Sequence, residues 1–549
     1  MKKTLIISIM LLLAASLSGR AQERIFVITD RNTYIAGDMV FCSVYALDDK
    51  GRQTGFSAVS YLELISAEGS ITEAKIGMFN GRGAGSFRIP AGAPTGNYRL
   101  MGYTARSAAS VEYSQVLTVF NTSSTARVKD GVAFVGDSEL RPASRAGSAA
   151  ARGDLGISFP VRMQQGKEAI LHIASLEQDA NLVVSVFHDD DLPHETPVTI
   201  AQFAQEASAS SEGSRSAEYE GEIIYASVEG LEADGESDNN LEHVTAFLST
   251  AGSPENIYVG KPAGNGQVRF YTGNIYGDRE LVCEVVSMYG KKCHINLKSP
   301  FTRPSPGTIP VLKLNASERG DLVSRKASLK DSAPLDTLVE FLPKREDLLL
   351  AGQSFKRYHL DDYTRFPTIK ETCTEFIPEL KMNKSGSSWR LRLTVSDATS
   401  SRHYQQDNIL VLMDGVVITD HGMLANFDAT LLEDIDLYQQ AVAMGSLSFN
   451  GVVNFVSKKN YVTALPFPDN TRVIDFKGVS YPVAYLGQAP SGKDLRQLLY
   501  WHPSLELSSH SDLRIPIKTP DYSGKFRIVI QGTKANGTPL YEEFPFEVE

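Results

Sequence analysis

NILVLMDGV, residues 408–416, is the stretch that decides how the surrounding region folds. Its five consecutive apolar residues, 409–413, predict a short strand that is buried on both faces. Asp414 and Gly415 follow at once, and both residue types tolerate the positive φ angles that tight turns require. The stretch therefore predicts a core strand that ends in a turn.

Further structural signals surround this strand. The segments LEDIDLY, residues 432–438, and FNGVVNFVSKK, residues 449–459, each contain a short predicted strand. Upstream, residues 368–376 have apolar side chains at helical spacing and follow Pro367, a residue tolerated at a helix start. A second helix is predicted near 426–432. Together these elements predict an α+β domain over residues 355–460.

The order of the three motifs resembles the plug domain of TonB-dependent outer-membrane receptors. In that family an Asp-Gly turn follows a core strand, and a Gly-rich loop returns to a final strand. Such receptors continue into a barrel of about 22 strands with roughly ten residues each, and the residues after Asn460 are too few for one. The resemblance implies a plug-like module without the barrel, reused for binding or packing.

Two loops of this module, residues 414–431 and 439–450, form the predicted contact surface, because a rigid sheet positions its loops for binding. Met423, Leu424 and Phe427 are the candidate partner-contact residues. The alternative is that these three side chains pack the 426–432 helix onto its sheet. The sequence leaves both alternatives open.

The first part of the chain, residues 22–120, carries about seven strand signals, which predict a β-sandwich. Its motif TDR at 29–31, with Tyr34 and GD at 37–38 and then GNYRL at 96–100, resembles the macroglobulin-type domain of alpha-2-macroglobulin-like proteins. The Cys-Gly-Glu-Gln thioester run of that family does not occur in the sequence. The resemblance therefore implies no covalent protease trapping, and it leaves non-covalent protease binding or inhibition as an alternative function.

The remaining segments read as β modules and connections. Residues 217–302 resemble the carboxypeptidase regulatory-like sandwich, although the peptidase's His-x-x-Glu zinc motif is absent from the sequence. We predict a linker at 121–156, a second β region at 157–216, a mixed linker at 303–354 and an immunoglobulin-like sandwich at 461–549. The predicted fold class is mostly β, with tandem immunoglobulin-like and macroglobulin-like sandwiches plus one α+β plug-like domain. The same tandem occurs in uncharacterised Bacteroidetes proteins.

The first 21 residues predict a cleaved export signal. Lys2 and Lys3 precede an almost uninterrupted apolar run at 5–17, and Gly19 and Ala21 are small residues before a cut at residue 22. The run is shorter than the roughly 20 residues that cross a bilayer, and no later stretch reaches that length. We expect an exported chain without a transmembrane span, periplasmic or peripheral at the outer membrane.

Charge and cysteine content exclude several functions. The formal net charge of −11 makes nucleic acid a poor partner, because phosphate backbones are bound by Lys and Arg. The four cysteines match no zinc pattern. Cys283 and Cys293 flank a predicted turn at 288–290, so a hairpin disulfide and two free thiols are equally open alternatives.

Three sharper interpretations compete with structural ones. The acidic run HDDD at 188–191, with His194 and Glu195, suits a cation by its carboxylates, but consecutive acids do not all face one ion, so a solvated loop is favoured. No Gly-x-Ser-x-Gly elbow supports a serine nucleophile. Trp501 could stack on a sugar, but a core role is favoured.

These observations predict no catalytic residue, no cofactor and no metal. The favoured function is a non-catalytic exported envelope protein that binds or scaffolds partners of an outer-membrane, TonB-dependent or SusC-like, uptake or assembly machine. Its expected partner is an envelope protein, such as an outer-membrane barrel complex. The alternative is a macroglobulin-like protease-binding or inhibitory protein without the thioester.

Overall fold

A computed structural model describes residues 23–107, 114–135, 155–190, 192–205, 216–230, 241, 243–252, 256–287, 293–305, 307–315, 338–340, 350, 353–386, 388–396 and 403–549. The predicted signal at 1–21 lies outside these residues. The chain forms two compact units. Unit 1 takes its described residues from 1–221, 301–342 and 479–549, and unit 2 takes its own from 222–300 and 343–478.

The strands of the first 300 residues are β1 (Arg24–Thr29), β2 (Thr33–Ile35), β3 (Met39–Leu47), β4 (Val59–Ser66), β5 (Gly69–Phe79), β6 (Arg82–Arg88), β7 (Gly96–Tyr103), β8 (Ser114–Phe120), β9 (Val132–Phe134), β10 (Ile157–Ser158), β11 (Arg162–Met163), β12 (Glu168–Ile173), β13 (Ala180–His188), β14 (Ile223–Glu229), β15 (Val244–Thr250), β16 (Ile257–Val259), β17 (Lys261–Gly264), β18 (Gln267–Tyr271), β19 (Asp278–Ser287) and β20 (His294–Leu297).

The later strands are β21 (Leu312–Leu314), β22 (Leu338–Glu340), β23 (Lys356–His359), β24 (Leu380–Ser385), β25 (Ser388–Ser396), β26 (His403–Gln406), β27 (Leu410–Met413), β28 (Val416–Val417), β29 (Leu432–Tyr438), β30 (Val442–Met444), β31 (Leu447–Phe449), β32 (Val452–Ser457), β33 (Thr471–Lys477), β34 (Val479–Ser480), β35 (Val483–Tyr485), β36 (Leu498–Leu507), β37 (Leu513–Lys518), β38 (Gly524–Lys534) and β39 (Pro539–Val548). The helices are α1 (Ile200–Gln205), α2 (Ile369–Glu375) and α3 (Gly422–Ala425), with 3₁₀ turns at Leu360–Asp362, Ala429–Leu431 and Tyr461–Ala464. The mostly β fold class is confirmed, and no described helix is long and apolar enough to cross a membrane.

The first sandwich of unit 1 is one sheet in the order β1-β3-β6-β5-β4-β7-β8-β2. β5 belongs to both halves of this sheet, because most of its length pairs with β4 and its last two residues pair with β6. The two halves face each other across one core. Val27 and Val44 from one half and Leu64 and Leu100 from the other are buried in one core. Apolar residues drive this closure, since a sheet with one exposed apolar face must cover it.

The second sandwich of unit 1 joins segments that are far apart in sequence. β12 pairs with β37, and β13 lies between β36 and β38 in a seven-stranded sheet. The sequence predicts separate domains at 157–216 and 461–549, and the shared sheets correct that division. The physical reason is strand number, because a two- or three-stranded sheet cannot bury its apolar face alone.

The predicted linkers also contribute structure where they are described. β9, within the predicted linker at 121–156, pairs in parallel with β21, within the mixed segment 303–354. β22 pairs with β35 at the edge of the second sandwich. Residues 136–154, the larger part of the first linker, lie outside the described residues.

The sandwich of unit 2 has two four-stranded sheets, β17-β18-β14-β20 and β16-β15-β19-β33. Its last strand, β33, comes from the segment predicted to belong to the C-terminal sandwich, and it pairs with β19 along seven residues from Asp278 to Glu284. A local pattern could not show this, because exposed and buried positions alternate in the same way whichever sheet a strand joins.

The α+β region of unit 2 contains a five-stranded sheet, β23-β29-β32-β27-β28, and a three-stranded sheet, β24-β25-β26. β27 runs parallel to β32, and the turn between β27 and β28 has φ angles of 49° at Asp414 and 78° at Gly415. Positive φ at both residues is the type I′ geometry of a two-residue hairpin. The Asp-Gly turn is confirmed.

One of the two predicted helices forms as expected, and the other does not. α2 begins where the sequence placed it, and the Thr368 side chain caps it by accepting a hydrogen bond from the Glu371 N–H. The helix predicted near 426–432 is replaced by α3 and a 3₁₀ turn. Asp428 separates them, because its carboxylate accepts the Thr430 N–H and holds the chain in an extended conformation between the two turns.

Candidate partner-binding surface

Three aromatic rings form a stack on the surface of the α+β region. The Tyr363 and Phe376 ring centroids are 4.7 Å apart with an interplanar angle of 14°, and the Phe366 ring stacks on Phe376 at 6.1 Å. Tyr363 is 44% exposed, and Phe366 and Phe376 are half-buried. We call Tyr363, Phe366 and Phe376 the aromatic stack.

Buried neighbours hold the stack in place. Tyr358 of β23 is buried and contacts both Tyr363 and Phe376 by its ring. Its hydroxyl donates to the Glu379 carboxylate at 2.7 Å, and the Lys356 Nζ binds the same carboxylate at 2.7 Å. Burial raises the pKa of Tyr358, so its hydroxyl stays a donor. The stack therefore rests on a rigid base.

β23 beside the stack is the terminal strand of its sheet and pairs with β29. On one face, Arg357 forms a bidentate pair with Asp436 at 2.7 Å for both bonds, and His359 contacts Asp434 at 2.7 Å. The hydrogen bond with Asp434 raises the pKa of His359. These two pairs hold β23 against β29. The other edge of β23 pairs with no described strand, and such an edge can accept an added extended segment.

This arrangement suits protein binding. Exposed aromatic rings beside a strand edge are features that protein interfaces use, because rings bury a large apolar area and lose little side-chain entropy. In the described part of the chain, no group of three or more His, Cys, Asp or Glu side chains could hold a metal ion. The stack could not be predicted from the sequence, where its only signal is the density of aromatic residues in 355–376.

The residues chosen from sequence lie elsewhere in the same region. Leu424 is fully buried in the core, and Met423 and Phe427 are partly buried and pack against that core. Leu424 follows the packing alternative, because α3 turns its side chain inward, and the contact role of Met423 and Phe427 stays a prediction. The second predicted loop, 439–450, contains the β30–β31 hairpin.

The remaining candidate residues have structural surroundings. Cys283 and Cys293 are buried free thiols, and the Cys293 Sγ lies 3.9 Å from the Val285 carbonyl oxygen. The Cys293 side chain therefore lies beside Val285, which is two residues from Cys283 along β19. These two described cysteines form no disulfide with each other. The intervening turn at 288–290 lies outside the described residues.

One residue of the acidic run at 188–191 forms an ion pair. The Asp189 carboxylate accepts hydrogen bonds from Arg527 at 2.7 and 3.1 Å, and the Asp190 carboxylate accepts the Leu192 N–H at 3.2 Å. Asp191 lies outside the described residues. Trp501 is fully buried in a hydrophobic cluster with Phe26 and Tyr45, so the core interpretation is confirmed.

The macroglobulin-type motif forms a buried polar network. Asp30 accepts hydrogen bonds from the Tyr34 hydroxyl and the Phe41 N–H, both at 2.9 Å. Arg31 pairs with Asp38 at 2.9 Å, and Asp38 also accepts the Ile35 N–H at 2.9 Å. Burial raises the pKa of Asp30 to about 6. The motif residues therefore shape the turn between β1 and β3.

No protein-family model and no curated protein matches the chain. Among solved structures, trypsin-activated alpha-2-macroglobulin from Escherichia coli aligns with 96% of this chain and 41% of its own, at 9% identity and a TM-score of 0.24. Methylamine-reacted alpha-2-macroglobulin from Salmonella aligns with 96% of this chain and 39% of its own, at 10% identity and a TM-score of 0.25.

A third structure, the adhesin InvE from Yersinia pseudotuberculosis, aligns with 70% of this chain and 77% of its own, at 11% identity and a TM-score of 0.14. The chain spans about two fifths of the length of the alpha-2-macroglobulins it matches. TM-scores this low carry no argument about a common fold or function.

Proposed function

We propose that this chain is a non-catalytic exported envelope protein that binds a protein partner through the aromatic stack. The proposed partner belongs to a TonB-dependent, SusC-like uptake or assembly machine of the outer membrane. The predicted export signal at 1–21 and the plug-like order of motifs in the sequence support the compartment and the kind of machine. The protein acts in the periplasm or at the periphery of the outer membrane.

One observation carries the binding function, namely that the stacked rings of Tyr363, Phe366 and Phe376 meet solvent beside the terminal strand β23. The rings are held by Tyr358, so little conformational entropy is lost when they are covered. A partner that covers the stack with an apolar side chain and pairs with the free edge of β23 gains both burial and backbone hydrogen bonds.

The second candidate function is non-covalent protease binding. The observation that favours it is the buried network of Asp30, Arg31, Tyr34 and Asp38, which gives the macroglobulin-type motif a structural role in the first sandwich. The two functions differ in the identity of the partner.

An affinity capture experiment separates them. The tagged full-length chain is expressed in its native cell and purified from the solubilised envelope, beside a Tyr363→Ser, Phe366→Ser variant. A Phe79→Ser variant is the control, because Phe79 is 82% exposed at the tip of the β5–β6 hairpin. Circular dichroism melting checks that all three proteins fold.

We expect to capture an outer-membrane barrel protein with the wild type and the control. The stack variant should lose at least about tenfold in capture, since two anchor rings each contribute on the order of 1 kcal/mol or more. A captured protease would establish the second candidate instead. Equal capture by all three folded proteins would contradict a role for the stack.

A further inference from the structure

The three-stranded sheet β24-β25-β26 has one buried and one exposed face. Leu380 and Met382 of β24 and Leu391 and Leu393 of β25 point into the core. The alternate residues of the same strands point outward, because side chains alternate across a strand. We call these outward residues the basic face: Lys381, Asn383, Arg390 and Arg392.

Lys381, Arg390 and Arg392 carry three positive charges in a chain whose formal net charge is −11. Lys381 lies directly opposite Arg392, and Asn383 lies opposite Arg390. Like charges directly opposite each other destabilise a strand pair. The pairing of Lys381 with Arg392 therefore lowers the stability of the sheet.

Within the described residues, no carboxylate forms an ion pair with these three cations. Glu379, which precedes Lys381, is bound to the Lys356 Nζ and the Tyr358 hydroxyl, both at 2.7 Å. Asp407, which follows β26, forms no ion pair with Arg392. The Arg392 Nε is buried and has no hydrogen-bond partner among the described residues.

Two more cations lie at the end of the β24–β25 hairpin, on the opposite face of the sheet, because Lys384 and Trp389 alternate with Asn383 and Arg390 along their strands. The Lys370 and Lys384 Nζ atoms lie 5.0 and 5.9 Å from the centroid of the Trp389 ring. These lysines therefore do not belong to the basic face, whose four outward residues are all polar.

We propose that the basic face binds an acidic polypeptide segment in an extended conformation, with carboxylates at alternate positions. Arg390 and Arg392 are two residues apart on one strand, a spacing of about 7 Å, and carboxylates at alternate positions of an extended segment repeat at the same distance. Guanidinium groups bind carboxylates through two parallel hydrogen bonds. Asn383 adds an amide that bonds the segment's backbone.

A polypeptide fits these groups better than an anionic membrane surface does. Membrane-surface binding combines positive charge with apolar side chains that enter the acyl boundary, and the outward residues of the basic face are all polar. The proposal goes beyond the aromatic stack and does not rest on it, because the two surfaces use different residues.

The test uses the full chain and a fluorescent peptide of alternating Thr and Glu, with a Thr-Gln peptide as the uncharged control. Binding is measured by anisotropy at low salt and at about 0.5 M salt, where charge contacts are screened. The variant is Arg390→Gln, Arg392→Gln. The matched control is Arg472→Gln, Lys477→Gln, which removes the same charge from exposed positions of β33 in the same unit.

We expect saturable binding of the Thr-Glu peptide, at least about a tenfold loss of affinity in the basic-face variant, and less than about a twofold change in the control. Equal losses in both variants would show attraction by net charge alone and overturn the proposal. Equal affinity for the Thr-Gln peptide would do the same. Binding of phosphatidylglycerol vesicles but not of the peptide would assign the face to a membrane surface instead.

Discussion

The Asp414 carboxylate accepts hydrogen bonds from both the backbone N–H and the hydroxyl of Ser457, at 2.6 and 2.7 Å. The two residues are 43 positions apart, at the ends of the parallel strands β27 and β32. The Val462 N–H adds a third bond to the same carboxylate at 3.3 Å. The turn residue that the sequence singled out therefore also ties β27 to the chain that follows β32.

Asp414→Ala should lower the free energy of unfolding of unit 2 by about 3 kcal/mol, because three buried donors lose a charged acceptor. Urea unfolding is followed by Trp389 fluorescence in a Trp501→Phe background, since the chain has two tryptophans, one in each unit. Asp475→Ala is the control, because Asp475 is exposed on β33, and we expect a change within about 0.5 kcal/mol. Similar effects of both substitutions would contradict a special role for Asp414.

Leu424→Ala should lower the free energy of unfolding of unit 2 by about 3 kcal/mol, since it removes a fully buried side chain from the core. Met423→Ala, at a partly buried neighbour, should cost clearly less. The same fluorescence measurement tests both. If Leu424→Ala left unfolding unchanged but abolished partner capture, the contact interpretation of α3 would be restored.

Unit 2 should lose stability as pH rises because of Glu284. Burial raises the pKa of this side chain from 4.5 to about 7, although the Thr419 hydroxyl donates a hydrogen bond to it. A raised pKa favours the folded state below pH 4.5, and this stabilisation is lost as pH rises through about 7.

The Glu284→Gln variant isolates this effect. Relative to wild type it should become more stable by up to about 3 kcal/mol between pH 4.5 and 8. His421, whose pKa burial lowers to about 4, acts in the opposite direction in both proteins and cancels in the difference. A wild-type minus variant difference that does not change with pH would refute the assignment.

Arg496→Met should destabilise unit 1 by about 3 to 5 kcal/mol, because it leaves the buried Asp494 carboxylate without its bidentate partner. Arg496 also donates to the Gly487 carbonyl at 2.7 Å. Unfolding is followed by Trp501 fluorescence in a Trp389→Phe background. Arg162→Met removes an exposed pair with Glu549 and should cost less than about 1 kcal/mol. Equal costs would show that burial does not govern these pairs.

Features encoded within a few residues could be predicted from the sequence. The run at 409–413 and the Asp414-Gly415 turn fold as expected, because apolar periodicity and tolerance of positive φ are local properties. The start of α2 follows for the same reason, since the Thr368 cap lies beside the helix it stabilises. The mostly β class follows from many such signals together.

Only the tertiary structure decided which strands share a sheet and which side chains form a surface. β13 pairs with β36 and β38, and β33 pairs with β19. Neither pairing can be read from the local pattern of apolar and polar residues. The aromatic stack and the pairing of Lys381 with Arg392 likewise depend on chain packing. The physical reason is that the free energy gained by burying apolar side chains does not depend on direction. Closing a long loop also costs only slightly more entropy than closing a short one. The pairing of strands with similar patterns is therefore determined by the shape of the whole core.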